Sequence, residues 1–103
     1  MLFIETPTFT RLIVDLLDDD EYSNLQTELV KHPDAGDLIP KVGGIRKIRW
    51  KRTGTGKSGG IRAIYYWITE GNQILMLVAY PKSVKDNLTD KETAILRNLV
   101  KEL

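Results

Sequence analysis

Apolar residues at Phe9, Leu12, Ile13, Leu16 and Leu17 recur at the i, i+3, i+4, i+7, i+8 spacing that lines one face of a helix. Ahead of them, Thr6-Pro7 supplies a capping hydroxyl and a ring suited to the first helical position, so the helix is predicted to begin there. The triplet Asp18-Asp19-Asp20 breaks the pattern and offers the cap of a second helix. Its apolar face is Tyr22, Leu25, Leu29 and Val30, and it ends at His32-Pro33 because the residue before a proline is pushed out of the helical region. A helical hairpin with an acidic turn is the expectation. Met1 to Glu5, short and apolar, reads as a strand preceding it.

Between Pro33 and Val42 the turn formers Asp34, Gly36, Asp37 and Pro40 mark a loop, with a short extended piece at Leu38-Ile39. The period then switches to two. From Ile45 to Lys51, Ile48 and Trp50 fall on one face and Lys47, Arg49 and Lys51 on the other, so one face is predicted to enter the core and the other to present a row of cations. Ile61 to Thr69 is apolar on both faces, which suits a central strand. Glu70-Gly71-Asn72-Gln73 is a hairpin turn into a further strand, Ile74 to Tyr80, and Pro81 closes the sheet. Thr89-Asp90-Lys91-Glu92 has the capping-box pattern, followed by a helix with Ile95, Leu96, Leu99, Val100 and Leu103 on its apolar face. The predicted order is β-α-α-β-β-β-α, an α+β chain with a small, largely antiparallel sheet, an N-terminal helical hairpin and a C-terminal helix. All helices are expected on one sheet face, leaving the cationic face open.

Composition places this pattern in one ordinary globular domain, residues 1–103, with 42% hydrophobic and 28% charged residues. The absence of cysteine excludes disulfides, thiolate catalysis and cysteine-based zinc sites. Glu5 and Pro7 interrupt the N-terminal apolar run before it reaches signal-peptide length, and no run is long enough to span a membrane, so a cytoplasmic protein without a membrane partner is expected.

Charge changes the picture. The formal net charge is only +1, yet eight of the fifteen basic residues (Lys41, Arg46, Lys47, Arg49, Lys51, Arg52, Lys57 and Arg62) lie between Leu38 and Thr69, a stretch without a single acid. The other seven share the rest of the chain with all fourteen acids. Such a segment, rich in arginine and joined by a Gly/Thr/Ser loop, has the character of a phosphate-binding surface.

The loop itself is not a nucleotide fingerprint. Gly54-x-Gly56-x-x-Gly59 is followed by a strand where a dinucleotide site needs a helix, and Gly56-Lys57-Ser58 lacks the upstream glycine and the helix of a P-loop. A flexible hairpin tip is the plainer account of the glycines; what favours a functional one is Lys57, a cation on a pliant loop between two strands that carry cations of their own. His32, the only histidine, stands at a helix end, and the acids of Asp18 to Glu21 read as a helix cap rather than a metal cluster. No cofactor or metal is implied, so phosphate chemistry would have to run on Lys, Arg and Tyr. RNA permits this, because the attacking 2′-oxygen belongs to the substrate and the protein need only align it, move protons and stabilise charge. Arginine grips phosphate bidentately. Lysine and tyrosine, with reference pKa values of about 10.4 and about 10, become better proton acceptors when cations crowd them. A purely binding patch is the equal alternative. Trp50, Tyr65, Tyr66 and Trp67 offer stacking surfaces, at least two of them being expected in the core.

Arg46-Lys47-Ile48-Arg49-Trp50, the Gly/Lys loop, Gly60-Ile61-Arg62-Ala63-Ile64-Tyr65-Tyr66 and Tyr80-Pro81-Lys82 together resemble the RelE/HigB superfamily of bacterial toxins from type II toxin-antitoxin systems, nearest its HigB-type branch with a GTGKSGG-like loop. The resemblance implies a RelE-like fold and an endoribonuclease, an mRNA interferase that cuts mRNA in the A site of the 70S ribosome by metal-independent attack of the 2′-hydroxyl. It implies that Arg49 and Arg62 hold the scissile phosphate, that Tyr80 and Lys82 move protons and that Lys57 adds a cation. Arg46, Lys47, Lys51 and Arg52 would bind RNA backbone. It also implies a partner, a cognate helix-turn-helix antitoxin. Two further readings stay open at this level, a ParE-like toxin that binds DNA gyrase without catalysis and a plain RNA-binding module.

Overall fold

The computed structural model describes residues 1–51 and 60–103; residues 52–59, among them Arg52, Lys57 and the glycines of the loop, lie outside the described residues. The elements run β1 (Leu2–Glu5), α1 (Pro7–Leu16), α2 (Asp19–Lys31), β2 (Asp37–Leu38), β3 (Ile45–Trp50), β4 (Ile61–Ile68), β5 (Gln73–Pro81) and α3 (Asp90–Lys101). This is the expected α+β order with one addition, the two-residue strand β2.

Local chemistry explains each helix start. The Thr6 hydroxyl accepts from the Phe9 amide at 3.0 Å, with Pro7 in the first turn, and donates to the Leu77 carbonyl at 2.7 Å, fastening α1 to β5. Asp18 and Glu21 close a reciprocal capping box on α2, and Thr89 and Glu92 do the same on α3. Glu5 ties β1 to both hairpin helices, accepting from Thr10 Oγ1 at 2.7 Å and from Tyr22 Oη at 2.6 Å. Burial and this carboxylate hold the Tyr22 phenol far above its ordinary range.

The strands form one sheet in the order β1-β5-β4-β3-β2, with β1 parallel to β5 and the other pairs antiparallel. β4 is therefore the middle strand, which is why its sequence is apolar on both faces. The β4-β5 hairpin closes through the four residues Thr69 to Asn72, where Gly71 and Asn72 take left-handed φ of +83° and +55°, a region glycine and asparagine enter at least cost.

Both faces of the sheet are covered. Phe9, Ile13, Leu17, Leu25 and Leu29 from the hairpin pack on Ile48, Ile61, Ala63, Tyr65, Ile74, Met76 and Ala79. On the opposite face Leu88, Leu96 and Val100 pack against Ile45, Ile64, Leu75, Leu77 and Tyr80. The expectation of helices on a single face is thus corrected: α3 crosses to the side that carries Lys47, Arg49 and Arg62. Apolar strand positions on that side leave too much exposed hydrocarbon for the face to stay open. α3 has no fully buried residue, and Ile95 and Leu99 remain 58% and 39% exposed, so its hold on the sheet is light.

Register is shifted once. Ile64 pairs with Val78 and Tyr65 with Met76, leaving Leu77 as an extra residue on β5. Strict alternation from Leu75 and Leu77 would send Tyr80 to the hairpin face. The bulge turns Val78 and Tyr80 to the α3 face instead.

Tyr65 links the sheet to the loop after α2. Its ring is fully buried; its hydroxyl donates to the Pro33 carbonyl at 2.7 Å and accepts from the Gly36 amide at 2.9 Å. Tyr65→Phe leaves both backbone groups without this partner and is expected to cost about 1–3 kcal/mol, read as a lower denaturation midpoint at unchanged m-value.

Candidate active site

Cross-strand register assembles the site. Arg49 on β3 stands opposite Arg62 on β4, and Arg62 stands opposite Tyr80 on β5, so three side chains from three strands form one row across the α3 face. Lys47 lies one row along on the same face, opposite Ile64.

Two arginines as direct neighbours repel, and the structure answers with carboxylates. Asp37 of β2 meets Arg49 at 2.9 Å, a pair whose side chains are 54% and 72% exposed. Arg62 is only 5% exposed and donates from Nε to Asp86 Oδ1 at 3.0 Å. Asp86 belongs to the segment between β5 and α3, which folds back over the row. The Asp86 carbonyl accepts from Lys47 Nζ at 3.3 Å and from Tyr80 Oη at 3.4 Å, while Asn87 Oδ1 accepts from Lys47 Nζ at 2.7 Å. Lys85 sits 5.0 Å from the centre of the Tyr80 ring and is ion-paired to Glu92.

These contacts set the protonation states. Hydrogen bonding from the Arg62 guanidinium, aided by the charges of Arg62, Lys47 and Arg49, holds the Asp86 carboxyl below the ordinary carboxylate value. Tyr80 goes the other way: burial, then the charges of Asp86 and Glu92, raise its phenol above the ordinary value, outweighing Arg62. Cation crowding on its own favours phenolate; with the acids in place the row presents a protonated phenol. Lys85, with the Thr89 amide, holds Glu92 below its usual range.

The remaining sequence-derived candidates divide by position. Arg46 points to the hairpin side, where Nη1 donates to the carbonyls of Asp34 at 3.2 Å and Gly36 at 2.8 Å; it braces a loop and is separate from the row. Lys51 is exposed at the end of β3. Lys82 is exposed just beyond β5, its amide donating to the Gly60 carbonyl at 3.0 Å, so the ends of β3, β4 and β5 converge beside it. Gly60 makes that convergence possible: at φ +55°, a Cβ there would lie 2.2 Å from the Trp50 carbonyl oxygen. Arg52 and Lys57 lie outside the described residues. Tyr65 is wholly core, and Trp50, Tyr66 and Trp67 are half-buried against the two core clusters.

The acids are what sequence reading missed. It counted none on the basic sheet, whereas Asp37 enters it on β2 and Asp86 arrives from the following loop. The only available signal was that Asp86 is the sole acid between Gly71 and Thr89. Among the described residues no three His, Asp or Glu side chains converge into a metal-binding group, and no helix is long and apolar enough to cross a membrane.

The family model described as the RelE toxin of the RelE/RelB toxin-antitoxin system matches residues 18–103. Among solved structures, a mutant of the E. coli toxin RelE in the free state superposes with a TM-score of 0.56 at 16% identity, over 99% of this chain and 96% of that one. At that identity the likeness establishes the fold.

The Tyr80 phenol is expected to keep its proton beyond pH 10, the reference value. The difference in ultraviolet absorbance between the wild type and Tyr80→Phe, followed through an alkaline titration, checks this; a midpoint at or below the reference value contradicts the assignment. Because the folded pKa is raised, the unfolded chain releases this proton first, and the contribution of Tyr80 is lost as pH climbs from the unfolded value through the folded one.

Proposed function

The chain belongs to the RelE toxin family, and on that footing we propose that it is the toxin of a toxin-antitoxin pair and acts as a ribosome-dependent endoribonuclease on translated mRNA. The observation that carries this reading is the row Arg49, Arg62, Tyr80, which aligns two fixed cations and a protonated phenol across three registered strands.

In the proposed reaction the 2′-oxygen of the substrate attacks the adjacent phosphorus, a 2′-O–P bond forms and the P–O5′ bond breaks. The products are a 2′,3′-cyclic phosphate and a free 5′-hydroxyl. Arg62 and Arg49 stabilise the charge that accumulates on the non-bridging oxygens, where preorganised donors act most strongly. Tyr80, which stays protonated at neutral pH, gives its proton to the leaving 5′-oxygen. Removal of the 2′-hydroxyl proton falls to Lys82, next to the row on the turn after β5. Lys47, Lys51, Arg52 and Lys57 supply charge for the RNA backbone, and no metal takes part. Within the family we place the chain nearest the HigB-type branch, on the residues of its glycine-rich loop. The partner in this reading is a helix-turn-helix antitoxin, and the ribosome delivers the mRNA.

Arg62→Ala is expected to lower cleavage by about a hundred- to a thousandfold, the cost of removing one strong donor to the developing charge. The measurement is mapping of mRNA 5′ ends after brief induction, with co-purification of the antitoxin reporting an intact fold and Arg62→Gln repeating the test at nearly conserved volume. New ends within translated frames, lost in both variants and absent from purified mRNA without ribosomes, are the expected pattern. A fully active Arg62→Ala, or ends indifferent to translation, overturns the proposal.

A further inference from the structure

The segment from Lys82 to Thr89 does more than connect β5 to α3. At Asp86-Asn87 it lies on the very groups assigned to phosphate: a carboxylate oxygen on Arg62 Nε at 3.0 Å, a backbone carbonyl within reach of both Lys47 Nζ and Tyr80 Oη, and an amide oxygen on Lys47 Nζ at 2.7 Å. Oxygens therefore already surround the cations in the free protein, one of them charged. The Arg62 side chain, which also donates from Nη1 to the Ile61 carbonyl at 3.2 Å, is 6% accessible, while that of Asp86 is 49% accessible and so reachable from solvent.

We propose that Asp86 is an internal stand-in for the substrate phosphate, so that RNA enters the Arg62 subsite by exchanging with the Asp86 carboxylate and lifting Asp86-Asn87 off the row. The inference rests on the functional reading above for the identity of the incoming anion. A carboxylate is a good occupant for a guanidinium and a poor competitor for a phosphate that brings several oxygens at once. The segment is also built to move. The Lys47 contacts to Asp86 and Asn87 are exposed polar ones, of the kind that salt and solvent weaken, and Asp86 itself is half exposed. It runs into α3, which has no fully buried residue. Its two ends are fixed independently, by the Lys82 amide on the Gly60 carbonyl and by Leu88 on the sheet with the Thr89 capping box, so Asp86-Asn87 can lift between them without unravelling either element.

Closure of this kind gives the free toxin a resting state in which its strongest phosphate site is satisfied. A phosphate at low concentration competes poorly. One held next to the row by a larger assembly has a high effective concentration and wins the exchange. Asp86 thereby selects for a presented substrate over a free one.

The test titrates inorganic phosphate into the full-length protein and follows the Nε–H resonance of Arg62 by NMR, in wild type, Asp86→Asn and Asp86→Ala. Removing the competing charge is expected to lower the phosphate concentration at half-saturation by about five- to tenfold in both variants, the effect of one nearby like charge near a protein surface. A residue that merely held Arg62 in place would weaken binding when replaced, so a gain is the distinguishing sign. A midpoint equal to or higher than wild type in both variants overturns the gate. The outcome is separable from the nuclease reading. A gain in phosphate affinity with no mRNA cleavage leaves the gate and removes the reaction, whereas unchanged phosphate affinity with cleavage that depends on Arg62 does the reverse.

Discussion

An arginine that is 5% exposed is the constraint around which this sheet face is built. Arginine stays charged at any accessible pH, so burying it requires partners: Arg62 donates to the neighbouring Ile61 carbonyl at 3.2 Å and to Asp86 from the loop after β5. β3 contributes a second arginine that raises the local potential. β5 contributes Tyr80, and the segment after it contributes the carboxylate that neutralises the guanidinium. α3 follows from the same segment, because Glu92 of its capping box holds Lys85, and Lys85 lies by the Tyr80 ring. Ionic and apolar requirements converge here: the segment that answers the charge also delivers the helix that covers Ile64, Leu75 and Leu77.

The bulge at Leu77 is the backbone device that makes the arrangement possible. It adds one residue to β5 opposite β4, and Tyr80 moves from the side of the helical hairpin to the side of Arg62. The price is one interrupted ladder position in a central pairing. Bulges recur next to active sites because a single extra residue re-aims a side chain without disturbing the strands on either side.

Much of this was legible in the sequence, and what was not has definite causes. Helix starts were readable because Thr6, Asp18 and Thr89 act on amides three residues away. The face of β3 that carries Lys47 and Arg49 followed from alternation. The pairing of Arg49 with Arg62 and Tyr80 did not, since register depends on turn geometry and on a bulge whose residue, Leu77, is indistinguishable from its neighbours by composition. Asp86 was invisible for a related reason: its partner stands 24 positions earlier, and neither residue marks the other. The side chosen by α3 was misjudged because one apolar stripe fits either face of a sheet that is apolar on both. Arg46 was grouped with the RNA-binding cations although its position beside Lys47 puts it, by alternation, on the other face.

The eight cations that first drew notice are therefore not one surface. Arg46 supports the loop that carries Gly36, Lys47 is covered by Asp86-Asn87, Arg62 is nearly enclosed, and Arg49, among the described residues, is held by an exposed pair with Asp37. Exposed pairs of that last kind contribute about 0–1 kcal/mol, so Asp37 gives up Arg49 at little cost. For a phosphate approaching along this face, Arg49 is the accessible cation and Arg62 the guarded one. On the proposed function this ordering has a consequence for mechanism. Backbone phosphates can engage Arg49 and Lys51 before the reacting phosphate reaches Arg62, and binding energy gathered at the exposed cations is then available to displace Asp86. Affinity at the rim would drive assembly of the reactive row, which is how a small domain with one enclosed arginine can couple recognition to chemistry.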